Sequence, residues 1–293
     1  MSNEAKIFKY NTLSDVAVRF RSDLNDFDYV LLYAYNGTGK TRLSMEFKNR
    51  GRDTEANTRD TLYFNAFTED LFYWDNDLEN DTERVLKINA DSNFFNGFKE
   101  LALGYLQRYA EFDFKIDYEE WHISFSKGEE DKIKISRGEE NIFIWCVFLA
   151  ICELVIDGAE AYSWVKYIYI DDPVSSLDDN NIIAIANDLG NLLKKDSGKR
   201  KIVISSHHHL FFNVMYNDLK RNRRKSYFFH KNGTNGYTLR ATDETPFFHH
   251  VATLCELKRL LPKEGQTIDD VQINTYHFNM LRSVIEKTAV FFG

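Results

Sequence analysis

Proline is scarce, with three residues in a chain of 293, and no Gly/Ser-rich or Pro-rich stretch interrupts it. That excludes a long unstructured linker. No segment repeats at a period of a few tens of residues, which excludes a solenoid. Cysteine is equally sparse. Cys146, Cys152 and Cys255 are isolated and none forms a Cys-x-x-Cys pair, so a disulfide framework is excluded. Cys146 and Cys152 lie in an apolar stretch and read as buried thiols of a reducing compartment. Residues 1–20 hold no apolar signal core. The longest apolar run, residues 142–156, is interrupted by Glu153 and is too short to span a bilayer. A cytoplasmic protein that does not engage the membrane is expected.

Positive charge is also in deficit. The net charge is −8, which argues against general nucleic-acid binding. One local exception is Lys220, Arg221, Arg223, Arg224 and Lys225, followed by Tyr227, Phe228, Phe229 and His230. It reads either as a site that steers RNA or, more plainly, as a solvated helix end running into a strand.

What the chain does have is a 43% hydrophobic content, enough for one large α/β domain with an appendage. Residues 28–33 form an apolar, aromatic run of strand type, followed by Ala34-Tyr-Asn-Gly-Thr-Gly-Lys-Thr41 and then by helical periodicity in residues 42–48. Strand, glycine-rich loop and helix is the context a P-loop requires. Asn36, Gly37, Thr38 and Gly39 would wrap phosphates with backbone N–H groups. Lys40 would reach the β- and γ-phosphates, and the Thr41 hydroxyl would bind Mg²⁺. Ala34 stands where the motif usually has its first glycine, so an altered turn is expected there.

A second strand pattern, residues 166–170, ends in Asp171-Asp172. Asp171 is expected to hold Mg²⁺ through water, and Asp172 to polarise the attacking water as general base. A third strand, residues 200–205, ends in Ser206-His207, where His207 resembles the switch histidine of ABC-type ATPases, which implies a γ-phosphate contact. His208 and His209 follow, but adjacent residues on an extended chain face opposite ways, which weighs against a three-histidine metal site. Between these halves Lys134-Ile-Ser-Arg-Gly-Glu-Glu140 opens an apolar helix. Ser136 and the Gly138 backbone there make an anion site or a simple helix cap.

These motifs, in this order, resemble those of the ABC-type P-loop ATPases. Pro173-Val-Ser-Ser-Leu-Asp178 resembles their D-loop, and the segment around Ser136 their signature loop in altered form. The resemblance implies a mixed sheet flanked by helices. It also implies a head-to-tail homodimer, in which Ser136 and Gly138 of one copy cap the nucleotide held by the other. The family's Q-loop glutamine is missing. Gln107 lies in a different setting, and Glu69 or another polar residue of the 63–75 stretch is left to replace it.

Narrower still, residues 33–44, 65–78, 170–179 and 276–289 together resemble the PrrC anticodon nucleases over nearly the whole chain. That implies a regulated defence protein with an ABC head spanning residues 1–245. Residues 80–118 would form a helical insertion, and residues 246–293 would begin a helical nuclease domain of HEPN type. The implied cofactors are ATP or GTP with Mg²⁺, and dTTP as a further nucleotide. The implied substrate is tRNA-Lys. The implied partners are a type I restriction–modification complex and a phage-encoded activator. Of the family's Arg, Glu and His triad, Arg282 and Glu286 carry over, four residues apart on one helix face. They would support a metal-free attack of the RNA 2′-hydroxyl. The histidine has no counterpart. His277 sits roughly 140° around the helix from Arg282, so an incomplete nuclease site is expected. Phe278, Leu281, Val284, Ile285, Phe291 and Phe292 are expected to need a further element to pack against. A nucleotide-switched scaffold without RNA chemistry is the competing expectation. An SMC-like repair ATPase is disfavoured, because no long coiled coil separates P-loop and signature.

Overall fold

The computed structural model describes residues 6–53, 58–65, 72–75, 85–88, 112–174, 177, 179–196, 198–232 and 236–242, together with parts of 254–285. In chain order the elements are β1 (Ile7–Tyr10), α1 (Leu13–Asp26), β2 (Tyr29–Ala34), α2 (Lys40–Asn49), β3 (Thr61–Asn65), β4 (Phe72–Asp75), β5 (Val85–Ile88), β6 (Asp113–Asp117) and β7 (His122–Ser126). After them come α3 (Arg137–Asp157), β8 (Tyr167–Asp171), α4 (Asp179–Lys195), β9 (Lys201–Ser206), α5 (His209–Asp218), β10 (Arg224–Lys231) and β11 (Tyr237–Ala241). The α/β class with mixed pairing and flanking helices is the one expected. The chain forms two compact units, Met1–Gly51 with Lys201–Gly293, and Arg52–Arg200.

In the first unit β2 lies between β9 and β10, both parallel to it, and β11 and β1 continue antiparallel beyond β10. A strand flanked by parallel neighbours and covered on both faces must be apolar throughout, and all six residues of β2 are buried. The register shows which helix covers which face. Tyr227 pairs with Leu32, and Phe228 with Tyr33. Phe20 of α1 stacks on Tyr227, whereas Phe212 of α5 meets Tyr33 edge-on. Successive strand residues point to opposite faces, so α1 and α5 cover opposite sides of the sheet. Thr12 caps α1 in a reciprocal box with Asp15. Beneath α1, Tyr227 donates from its hydroxyl to Asp23 at 2.7 Å, and Arg19 Nε contacts the same carboxylate at 2.9 Å.

In the second unit β3 and β8 pair in parallel, and β4, β5, β7 and β6 form an antiparallel sheet in that order. Helix α3 is apolar around its whole circumference from Ile142 to Cys152, and those residues are all buried. Phe64 of β3 packs on Trp145 and Phe148, while Phe72, Phe114 and Phe125 surround Phe143. Gly158, in the left-handed conformation, ends the helix. Burial raises the thiol pKa of Cys146, helped by Asp188, and burial alone does so for Cys152. On α4, buried Ile182, Ile185, Ala186, Leu189, Leu192 and Leu193 recur at helical spacing.

The helical insertion expected over residues 80–118 is corrected at both ends. Val85–Ile88 and Asp113–Asp117 are strands of the antiparallel sheet, and residues 89–111 lie outside the described residues. Asp113–Asp117 alternates polar and apolar residues, and Val85–Ile88 begins and ends on β-branched residues, so both suit the pleated sheet in which they pair. No helix among the described residues is long and apolar enough to cross a membrane.

Candidate nucleotide site

The sharp chain reversal after β2 requires two positive φ angles. Gly37 has φ 79° and Gly39, which caps α2, has φ 100°. Only glycine takes these without strain. Ala34 is the last residue of β2 and has no positive φ, so its methyl group carries no backbone strain there. Thr38 is buried and donates from Oγ1 to the Tyr35 carbonyl at 2.8 Å, closing the loop. Lys40 is buried at 6% exposure, and its Nζ donates to the carbonyls of Ala34 at 3.2 Å and Tyr35 at 3.4 Å and to Asn36 Oδ1 at 3.3 Å. Thr41 is exposed in the first turn of α2. A glycine-bent loop, a helix N-terminus and an ammonium group brought together make an anion site suited to phosphates.

His207 belongs to the same end of the same sheet. Ser206 lies opposite Tyr33 across the β2–β9 pair, so the residue after each strand starts from neighbouring positions. The backbone N–H of His208 donates to Ser206 Oγ at 3.0 Å, turning the chain into α5, and the His207 ring is half-exposed. His208 and His209 stack at 5.3 Å between centroids. Among the described residues no three or more His, Cys, Asp and Glu side chains come together to hold a metal ion.

In the second unit Asp171 ends β8 fully buried, directly opposite Asn65 at the end of β3. Its Oδ2 accepts from Asn65 Nδ2 and from the Tyr63 hydroxyl, each at 3.4 Å, and Asn65 Nδ2 also reaches the Tyr63 oxygen at 3.1 Å. Asp172 follows with φ 54°, a left-handed backbone that Asp and Asn tolerate better than longer side chains. A buried carboxylate and an alcohol such as Thr41 are hard oxygen donors. That chemistry fits Mg²⁺, which takes few protein ligands and completes its shell with phosphates and water.

Ser136 caps α3 in a reciprocal box. The Glu139 N–H donates to Ser136 Oγ at 3.3 Å, and the Ser136 N–H donates to Glu139 Oε2 at 2.8 Å. Ser136 holds the Glu139 carboxyl below its ordinary pKa, through its side chain first and then its backbone. Ser136 is exposed, and Gly138 stands in the first turn of α3. The cap reading of this segment therefore holds within one chain, and it leaves a helix N-terminus facing outward.

The basic run departs from the RNA-steering expectation. Tyr227, Phe228, Phe229 and His230 are buried in β10 and are not available for stacking. Arg224 covers the Tyr216 ring at 3.5 Å, Lys225 lies over Phe27 at 5.2 Å, and Arg223 donates to the Asp26 carbonyl. Arg224 pairs with Tyr29 and Phe229 with Ala34, so this run lies at the opposite end of β2 from the phosphate loop. Five strand residues separate them, roughly 16 Å.

Residues 277–282 and 284–285 are helical. Arg282 is exposed, as are Phe278, Leu281 and Ile285, while His277 is buried at 4% exposure and Val284 is half-buried. His277 and Arg282 are therefore set apart, as their spacing required. Glu286, Phe291 and Phe292 lie outside the described residues, as do Glu69, Gln107, Ser175, Ser176 and Asp178. Sequence reading missed Asn65 and Tyr63. The signal available was the alternation in β3, which puts residues 63 and 65 on one face.

A model of the AAA domain family matches residues 74–258 of this chain. The chain is 38% identical over 304 residues to a curated anticodon nuclease of Escherichia coli, covering 90% of this chain and 74% of that protein. Among solved structures, an SMC head domain from Thermotoga maritima matches 81% of this chain and 98% of its own at 12% identity and a TM-score of 0.33. An SmcHead bound to the C-winged helix domain of ScpA matches 50% of this chain and 42% of its own, at 15% identity and a TM-score of 0.32.

Proposed function

This chain belongs to the anticodon nuclease family and carries an AAA domain, and from that premise we propose that it is the nucleotide-regulated part of a ribonuclease that cleaves tRNA-Lys in anti-phage defence, with Arg282 and Glu286 as two members of a nuclease site that these residues do not complete. The observation that supports it most is the phosphate loop, with Gly37 and Gly39 at positive φ and Lys40 held among loop oxygens.

The head binds ATP or GTP. Lys40 would exchange its loop acceptors for phosphate oxygens, and Thr41 through its hydroxyl and Asp171 through water would hold Mg²⁺, which would supply positive charge to offset that of the phosphates. Asp172 accepts the proton of the attacking water, and His207 contacts the γ-phosphate. The exposed α3 N-terminus, with Ser136 and Gly138, caps the nucleotide of a second copy. Hydrolysis is thereby tied to a head-to-tail homodimer.

In the helical C-terminal part, Arg282 offsets the charge developing on the scissile phosphate, and Glu286 orients or deprotonates the 2′-hydroxyl. The 2′-oxygen forms a bond to phosphorus as the bond to the 5′-oxygen breaks, leaving a 2′,3′-cyclic phosphate and a 5′-oxygen that takes a proton from solvent to become a 5′-hydroxyl. No metal is needed for that step. Regulation would come from a type I restriction–modification complex and a phage-encoded activator, with dTTP as a further nucleotide signal. The proposed compartment is the cytoplasm.

The test is to incubate the protein with tRNA-Lys and each nucleotide and to map nicks beside the anticodon. Cleavage lost in Arg282→Ala with nucleotide binding intact supports the nuclease reading. Toxicity and partner recruitment that survive replacement of both Arg282 and Glu286 would support a nucleotide-switched scaffold instead.

A further inference from the structure

Two hydrogen bonds to Asp171 come from the neighbouring strand. Asn65 and Tyr63 are one pleat apart on β3, and both donate to Oδ2 of Asp171 at 3.4 Å. The pair is itself joined, Asn65 Nδ2 to the Tyr63 oxygen at 3.1 Å. Register enforces the arrangement, since Asn65 pairs with Asp171 and Tyr63 with Tyr169. Asn65 is 8% exposed and Asp171 fully buried, so neither contact is a chance surface encounter.

Both β3 donors are neutral. They orient the carboxylate without cancelling its negative charge, which a lysine or arginine in their place would do. Two donors converging on one oxygen fix the rotation of the carboxyl group and aim its other oxygen away from β3.

We propose that Asn65 and Tyr63 are positioning residues for divalent-cation binding, setting the Asp171 carboxylate that takes Mg²⁺ together with the nucleotide. The inference rests on the reading of Asp171 as the Mg²⁺ carboxylate. It assigns to Asn65 the polar role that the sequence left open between residues 63 and 75.

The experiment uses the whole chain with a non-hydrolysable triphosphate and Mn²⁺ in place of Mg²⁺. Free Mn²⁺ is followed by electron paramagnetic resonance, and nucleotide binding in EDTA is measured in parallel. Asn65→Leu, which keeps the volume and removes the amide, should weaken Mn²⁺ binding about tenfold, the lower end for loss of a ligand-orienting partner. Its metal-free nucleotide affinity should not change. Asn65→Gln, which retains the amide, should recover part of the loss. Tyr63→Phe removes one hydroxyl and should weaken Mn²⁺ binding in the same direction, and it carries the test if Asn65→Leu does not fold. Wild-type Mn²⁺ affinity in Asn65→Leu, or in Tyr63→Phe where that variant carries the test, overturns the proposal. Asp171→Asn separates the two failures. If it abolishes Mn²⁺ binding while the β3 variants have no effect, only this inference falls. If Asp171→Asn itself binds Mn²⁺ normally, the reading of Asp171 fails and takes the inference with it.

Discussion

Lys40 donates from Nζ to the Ala34 carbonyl at 3.2 Å, folding the phosphate loop back onto the strand from which it springs. A buried ammonium that already holds the Ala34, Tyr35 and Asn36 oxygens has its place set before nucleotide arrives. Lys40→Ala should therefore weaken triphosphate binding about 100-fold, within the range for removing one partner of a buried charged contact. Nucleotide-dependent self-association should disappear with it. Calorimetric titration and sedimentation velocity read the two effects, and unchanged values in both would remove the P-loop reading.

The Ser136–Glu139 box predicts a pH dependence. The Glu139 carboxyl is held below its ordinary value, so its contribution is present above about 4.3, the usual glutamate pKa. That contribution is lost as pH falls through the lower, folded value. Glu139→Gln should abolish this component of acid unfolding, monitored by circular dichroism between neutral pH and pH 3. Ser136→Ala should cost about 1 kcal/mol as the loss of a helix cap. The same variant should also weaken nucleotide-driven dimerisation while leaving nucleotide binding by the monomer intact.

At Asp172 the backbone decides which substitutions are tolerated. Its φ of 54° lies in the left-handed region. Asp172→Asn keeps a side chain suited to that conformation and should slow nucleotide hydrolysis by about 10²–10⁴-fold with binding retained. Asp172→Glu keeps the carboxylate on a side chain one methylene longer, and should destabilise the protein by about 1 kcal/mol through backbone strain. Steady-state phosphate release and chemical denaturation distinguish the two. A fully active, fully stable Asp172→Glu would refute the strain argument.

Tyr227 should be a stability position rather than an RNA contact. Burial, and then the hydrogen bond to Asp23, raise the pKa of its hydroxyl. Tyr227→Phe leaves a carboxylate at 7% exposure with one donor fewer, at a cost of about 1–3 kcal/mol. Urea unfolding would show that loss. A decrease in tRNA affinity without one would return Tyr227 to the RNA side.

Much of the nucleotide site is legible in the chain itself. A strand, a loop with Gly37 and Gly39, and a helix beginning at Lys40 are dictated by residues within a dozen positions of one another, because positive φ, helix capping and strand apolarity are local requirements. The Ser136–Glu139 cap is local in the same way. The pairing of Asn65 with Asp171 is not, since 106 residues separate them and only the β3–β8 register brings amide and carboxylate together. The basic run misleads for a related reason. Its charges and aromatics adjoin in sequence, but the parallel β2–β10 pair buries residues 226–230 and sets Arg224 at the far end of β2 from the glycine-rich loop. Local stereochemistry is written in neighbouring residues. Which side chains meet across a sheet depends on contacts that form only when distant segments fold together.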